Sequence, residues 1–126
     1  MDAESGARPG SNLNLKHLGE ISGNDTGTMR EVIDVFLEHA PALMRELQDQ
    51  HAARDGNGLR RAAHKLKPML AYVGMTSIHA RAVQIEQLDV SAVNWEEFTE
   101  LVRSMLTDFE PARRELIAYR ATLADQ

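Results

Sequence analysis

A chain of 126 residues, 43% hydrophobic and 26% charged, holds enough apolar material for one core. It has no cysteine, which excludes a disulfide framework, a thiolate metal site and a cysteine nucleophile. Its net charge of -5 argues against a general nucleic-acid binder, because neutralising phosphates takes a broad basic surface.

Apolar runs of only a few residues fall short of the roughly 20 that span a bilayer. The polar start also lacks the apolar stretch of a signal peptide, so no membrane association is expected and a cytoplasmic location is the default. Residues 1–12, with Gly, Ser, Pro and Asp and almost no apolar side chains, read as a disordered leader, leaving 13–126 as the domain. Leu13, Leu15, Leu18 and Ile21 then predict a short helix that caps a bundle and stops near Gly23.

Asp25 is a candidate N-cap. Met29, Val32, Ile33, Phe36, Leu37, Ala40, Met44 and Leu47 follow at spacings of three and four, the pattern of a long amphipathic helix ending near Ala53. The stripe continues in phase beyond Pro41, so that proline predicts a kink and not a break. Asp55-Gly56-Asn57-Gly58 offers turn and capping chemistry, and the helix that follows has its stop at Gly74. Thr76 or Ser77 is the expected cap of a third long helix, with Ile78, Ala82, Ile85 and Leu88 inward, closing near residues 89–91. Asn94 caps a last helix in which apolar residues hold helical spacing from Trp95 to Leu123, with a second kink at Pro111. No alternating β-branched run and no internal repeat is present. The expected fold is all-α: an antiparallel up-down-up-down four-helix bundle with a short N-terminal capping helix.

Within the helix ending at Gly74, Leu59, Ala62, Ala63, Leu66, Met69, Leu70 and Val73 share one side at 100° per residue, and His64 falls near the middle of the other. A core behind that stripe leaves His64 in water. Its helical neighbours are Arg60, Arg61, Lys67, Pro68 and Ala71, and two of the three lysines in this acidic chain, Lys65 and Lys67, lie within three residues of it. Other chemistries find no support. A carboxylate-histidine metal site in a bundle needs Glu-x-x-His pairs, and the residues three before His17, His39, His51, His64 and His79 are Asn14, Phe36, Gln48, Arg61 and Thr76. No metal site is therefore expected. Phosphate-loop glycines and a nucleophile-elbow serine are also missing.

Ala63-His64-Lys65-Leu66-Lys67-Pro68, followed by Gly74, resembles the signature of histidine-containing phosphotransfer (HPt) domains: an exposed His, then Leu two on, Lys three on, a small residue four on and Gly ten on. The likeness runs from about Leu13 to Leu123 and takes in the Leu-rich start, the Phe36-Leu37 to Pro41 helix and the Gly-Asn-Gly turn. Pro68 departs from the glycine many members carry. The resemblance implies a carrier more than an enzyme, a phosphorelay intermediate in which His64 takes a phosphoryl group from a receiver-domain aspartyl phosphate and Lys67 offsets its charge. It implies no cofactor of its own, magnesium on the partner receiver, and response-regulator receivers or a hybrid sensor kinase as partners. An expected docking surface comprises Arg60, Arg61 and Lys65 with the apolar Pro68, Ala71 and Tyr72. A monomer is the expected state. The rival readings are a helical interaction module that uses the same face without phosphorylation, and a bundle that dimerises through Trp95 or Phe109. A free-standing protein and one domain of a longer hybrid kinase both fit the sequence.

Overall fold

Short polar breaks divide the chain into amphipathic segments, and the computed structural model, which describes residues 13–123, turns each segment into a helix. The expected leader, 1–12, lies outside the described residues. The helices are α1 (Leu15–Ile21), α2 (Thr26–Ala52), α3 (Gly56–Tyr72), α4 (Thr76–Glu86) and α5 (Trp95–Leu123), and no strand occurs among the described residues. From α2 onward the short connections between helices make successive ones antiparallel neighbours. α3 packs on both α2 and α4, and α5 closes the ring against α2 and α4, with α1 laid on α3.

Each helix begins and ends for a local chemical reason. Asn14 Oδ1 accepts from the backbone N–H of His17 to start α1, and Asp25 Oδ2 accepts from the Thr28 N–H at 2.8 Å to start α2. Asp55 accepts from the Gly58 N–H at 2.9 Å, so residues 56–58 form the first turn of α3 and not a free turn before it. The reversal falls instead on Arg54, at φ 55°. Gly58 has its own reason to lack a side chain: a Cβ there would meet the Gln50 carboxamide from the end of α2.

Two expected boundaries move. Met75, not Thr76 or Ser77, takes the cap position of α4, and it does so without a side-chain hydrogen bond. α4 stops at Glu86, short of residues 89–91. Leu88 turns inward to 7% exposure, and Asp89 accepts from the backbone and hydroxyl of Ser91, which bends the chain away from the helix axis.

The core holds the apolar stripes where their spacing puts them. Ile33, Phe36 and Leu47 of α2, Leu59, Leu66 and Leu70 of α3, and Ile78 and Ile85 of α4 are all at 1% exposure or less. Phe36 and Phe109 meet across the α2–α5 seam with ring centroids 6.0 Å apart. Phe109 is thus consumed by the core, and Trp95 packs against it, so neither offers the exposed patch that dimerisation through them requires. Ile21 differs from expectation: it is 44% exposed, because each step of three residues falls about 60° short of a full turn and the two steps from Leu15 carry it about 120° round α1.

Pro41, Pro68 and Pro111 all lie inside helices that continue through them. None can donate to the carbonyl four residues back, a substitution that costs an interior helix about 3 kcal/mol. The apolar stripe on either side of each holds the helix together.

Gly74 does more than end α3. At φ 75° it occupies the left-handed region, and its carbonyl accepts from the Asn14 N–H at 2.7 Å. A Cβ on Gly74 would run into the Asn14 backbone. Gly74→Ala is therefore expected to lower stability by about 1–3 kcal/mol, from left-handed strain and from displacement of the α1 segment. A urea melt measures it, and an unchanged midpoint would show that the α1 clasp contributes nothing.

Candidate functional site

α3 turns its apolar stripe inward, and this rotates His64 outward: Ala63 and Leu66 are fully buried, while the His64 side chain is 70% exposed. The ring is not loose. Its Nδ1 meets Glu86 Oε2, from the last turn of α4, and the other oxygen of the same carboxylate pairs with Lys67 Nζ. Arg60, one turn before His64, donates through Nε to the Glu86 backbone carbonyl at 3.1 Å, a guanidinium set against the C-terminal end of α4. Among the described residues His64 Nε2 has no hydrogen-bond partner.

The Lys67 ammonium, and after it the His64 ring, hold the Glu86 carboxyl below the usual carboxylate range. It is therefore a carboxylate at neutral pH, able only to accept hydrogen bonds. The basic surroundings read from the sequence are partly neutralised by such partners. Lys67 is paired with Glu86, and Lys65 Nζ lies 3.0 Å from Glu46 Oε2 of α2. Arg61 is exposed and has no ion-pair partner among the described residues.

The sequence-predicted site residues gather only in part. His64, Arg60, Arg61 and Lys65 line one open groove with Asn57 and Glu86. Tyr72 lines a different, apolar groove between α2 and α3 with Val32, Val35, Phe36 and Met69. Ala71 faces a third depression, with Asn14, His17, Thr76 and His79. Pro68 is exposed one turn beyond His64. The three apolar positions grouped together from the sequence therefore do not form one patch, since Ala71 and Tyr72 are about 100° apart on the helix.

Glu86 is the residue that sequence reasoning missed. Its signal was present: it directly follows the core residue Ile85, hence at the flank of α4, and a short α3–α4 connection sets the end of α4 beside the first half of α3. Of the other histidines, His51 is the most constrained. Its Nε2 lies 2.9 Å from Thr99 Oγ1, its ring packs edge-on to Trp95, and burial, then the nearby Arg54, pushes its pKa down. This is a helix-end packing role. Among the described residues no group of three or more His, Asp or Glu could hold a metal ion, and no helix is long and apolar enough to cross a membrane.

Fold and site define an antiparallel helical bundle that displays one histidine on an outer helix face, braced by a carboxylate from the adjacent helix. The chain belongs to the Hpt domain family, whose match covers residues 31–112 and so includes α3, α4 and most of α2 and α5. It is also similar to the sensor protein TorS of Escherichia coli (strain K12), at 32% identity over 81 residues. That match covers 64% of this chain and 9% of TorS. No solved structure matches the chain.

Proposed function

We propose that this domain is a phosphorelay intermediate: His64 accepts a phosphoryl group from an aspartyl phosphate on a receiver domain and hands it to a second receiver. The observation that carries the reading is the state of the His64 ring, 70% exposed with Nδ1 engaged and Nε2 without a partner among the described residues. Nε2 directs its lone pair at phosphorus, an N–P bond forms as the P–O bond to the receiver aspartate breaks, and the electron pair leaves on that carboxylate. Transfer onward is the reverse step on another aspartate. Family membership and the likeness to a sensor protein support a two-component setting, with receivers, a hybrid sensor kinase or both as partners.

Magnesium and the aspartate belong to the receiver in this scheme, so the domain acts as a carrier. Arg61, with Arg60 and Lys65 around it, steers an acidic receiver surface toward the groove. The direct test incubates the protein with a phosphorylated receiver in magnesium buffer and looks for acid-labile label on His64. Lys67→Ala is expected to slow transfer by about tenfold, the rate equivalent of about 1.4 kcal/mol, with helix content unchanged. An unaltered rate would remove Lys67 from the chemistry.

A second reading, an interaction module that binds a partner without phosphorylation, draws on the exposure of Val35 and Tyr72 beside the apolar groove. The same assay separates the two, since such a module binds receivers but takes no label.

A further inference from the structure

Resting on the relay reading, the groove beside His64 assigns a second task to one of its arginines. We propose that Arg61 is a phosphoryl-binding residue, whose guanidinium takes hold of the phosphoryl oxygens once they sit on His64 Nε2. Helical side chains lean toward the N-terminus, so the His64 ring lies over the turn of α3 that bears Arg60 and Arg61, and all three line the same open groove. The cations around the ring differ in how far they are already engaged. Lys67 Nζ holds Glu86 Oε1, Lys65 Nζ lies 3.0 Å from Glu46 Oε2, and Arg60 Nε donates to the Glu86 backbone carbonyl at 3.1 Å. Arg61 is exposed, and it alone of these has neither an ion pair nor a hydrogen bond among the described residues.

That difference matters when the ring is loaded. A phosphoryl group brings three acceptor oxygens and, near neutral pH, a charge of about −2. Nδ1 faces the Glu86 carboxylate, which repels such a group, so the oxygens on Nε2 need a cation from elsewhere in the groove. Drawing Lys65 or Lys67 fully onto them breaks an ion pair that already exists, whereas Arg61 breaks none. A guanidinium also has the better shape: its planar fork can give two N–H groups to two oxygens at once, where an ammonium acts as a point charge.

Steering and phosphoryl binding leave different signatures at the same residue. Steering changes how often receiver and domain meet, so it scales transfer in both directions alike and leaves the equilibrium where it was. A contact made only to the phosphorylated ring stabilises one side of the exchange and moves that equilibrium.

The test measures kcat/KM for transfer from a phosphorylated receiver to the full chain in magnesium buffer, and for the return from the phosphorylated chain, purified free of receiver, to the same receiver. Their ratio is the equilibrium constant. Arg61→Ala is expected to lower it by about tenfold, the scale of one charge-assisted contact in a solvent-exposed groove. Arg61→Lys, which keeps the charge and loses the fork, should recover part of the loss. Arg45→Ala removes an exposed arginine that lines the separate groove between α2 and α5, and should leave the constant unchanged. Equal slowing in both directions in Arg61→Ala, with the constant unmoved, overturns the proposal and leaves Arg61 with docking only. An equal shift in Arg45→Ala also overturns it, by assigning the effect to net charge. Wild-type protein that takes no label removes the relay reading and the phosphoryl contact together, whereas labelled wild type beside an unmoved Arg61→Ala equilibrium removes the contact and keeps the relay.

Discussion

His64→Gln is expected to abolish acid-labile labelling by a phosphorylated receiver while leaving the fold intact. The side chain is 70% exposed and sits opposite the buried stripe, so its replacement disturbs no packing, and the change in stability should stay within about 0.5 kcal/mol. Glutamine is close in length and can still donate to Glu86, which preserves the Glu86–Lys67 pair. Its amide nitrogen is not a nucleophile, so loss of label isolates the chemistry from the architecture. Label retained at the wild-type level would mean that another residue is the acceptor. His17 and His79, which line a separate depression near Ala71, would be the next to examine.

Two residues further along the same helix, the opposite experiment has the opposite outcome. Leu66 is fully buried on the inner face of α3, which packs on both α2 and α4. Leu66→Ala is expected to cost about 2–5 kcal/mol, because the surrounding helices cannot collapse fully onto the space left. For a domain whose total stability is of the order of 5–15 kcal/mol, that is a large fraction. Urea melts followed by circular dichroism measure it, and a loss below about 1 kcal/mol would contradict the packing described for α3. Taken with His64→Gln, it separates two faces of one helix, one that holds the domain together and one that does its chemistry.

That division was legible in the sequence because helical periodicity is a local property. Leu59, Ala62, Ala63, Leu66 and Leu70 announced the buried face of α3, and His64 followed by geometry alone. The caps at Asp25, Asp55 and Asn94 were legible for the same reason, since each bonds an amide three residues on. Contacts between helices were not. Glu86 lies 22 residues from His64, and no spacing rule within one helix brings them together. The clasp of Gly74 on Asn14 escaped likewise, because a glycine after a helix already has a sufficient local explanation as a stop. The early end of α4 depended on Leu88 finding a place in the core, which apolar spacing alone could not distinguish from one more helical turn.

The closing of α5 on α2 has a consequence for how the domain assembles. Most of the ring is built from neighbours in sequence, which meet at little cost in chain entropy. The last seam joins distant segments: Arg30 donates to the Leu123 carbonyl at 2.7 Å across 93 residues, and Arg120 grips the Asp34 carboxylate through two nitrogens across 86. The loop-closure penalty of the whole fold is concentrated there. Substitutions at the Phe36–Phe109 contact should then act mainly on the rate at which the folded domain opens, and those within the α3–α4 hairpin on the rate at which it forms.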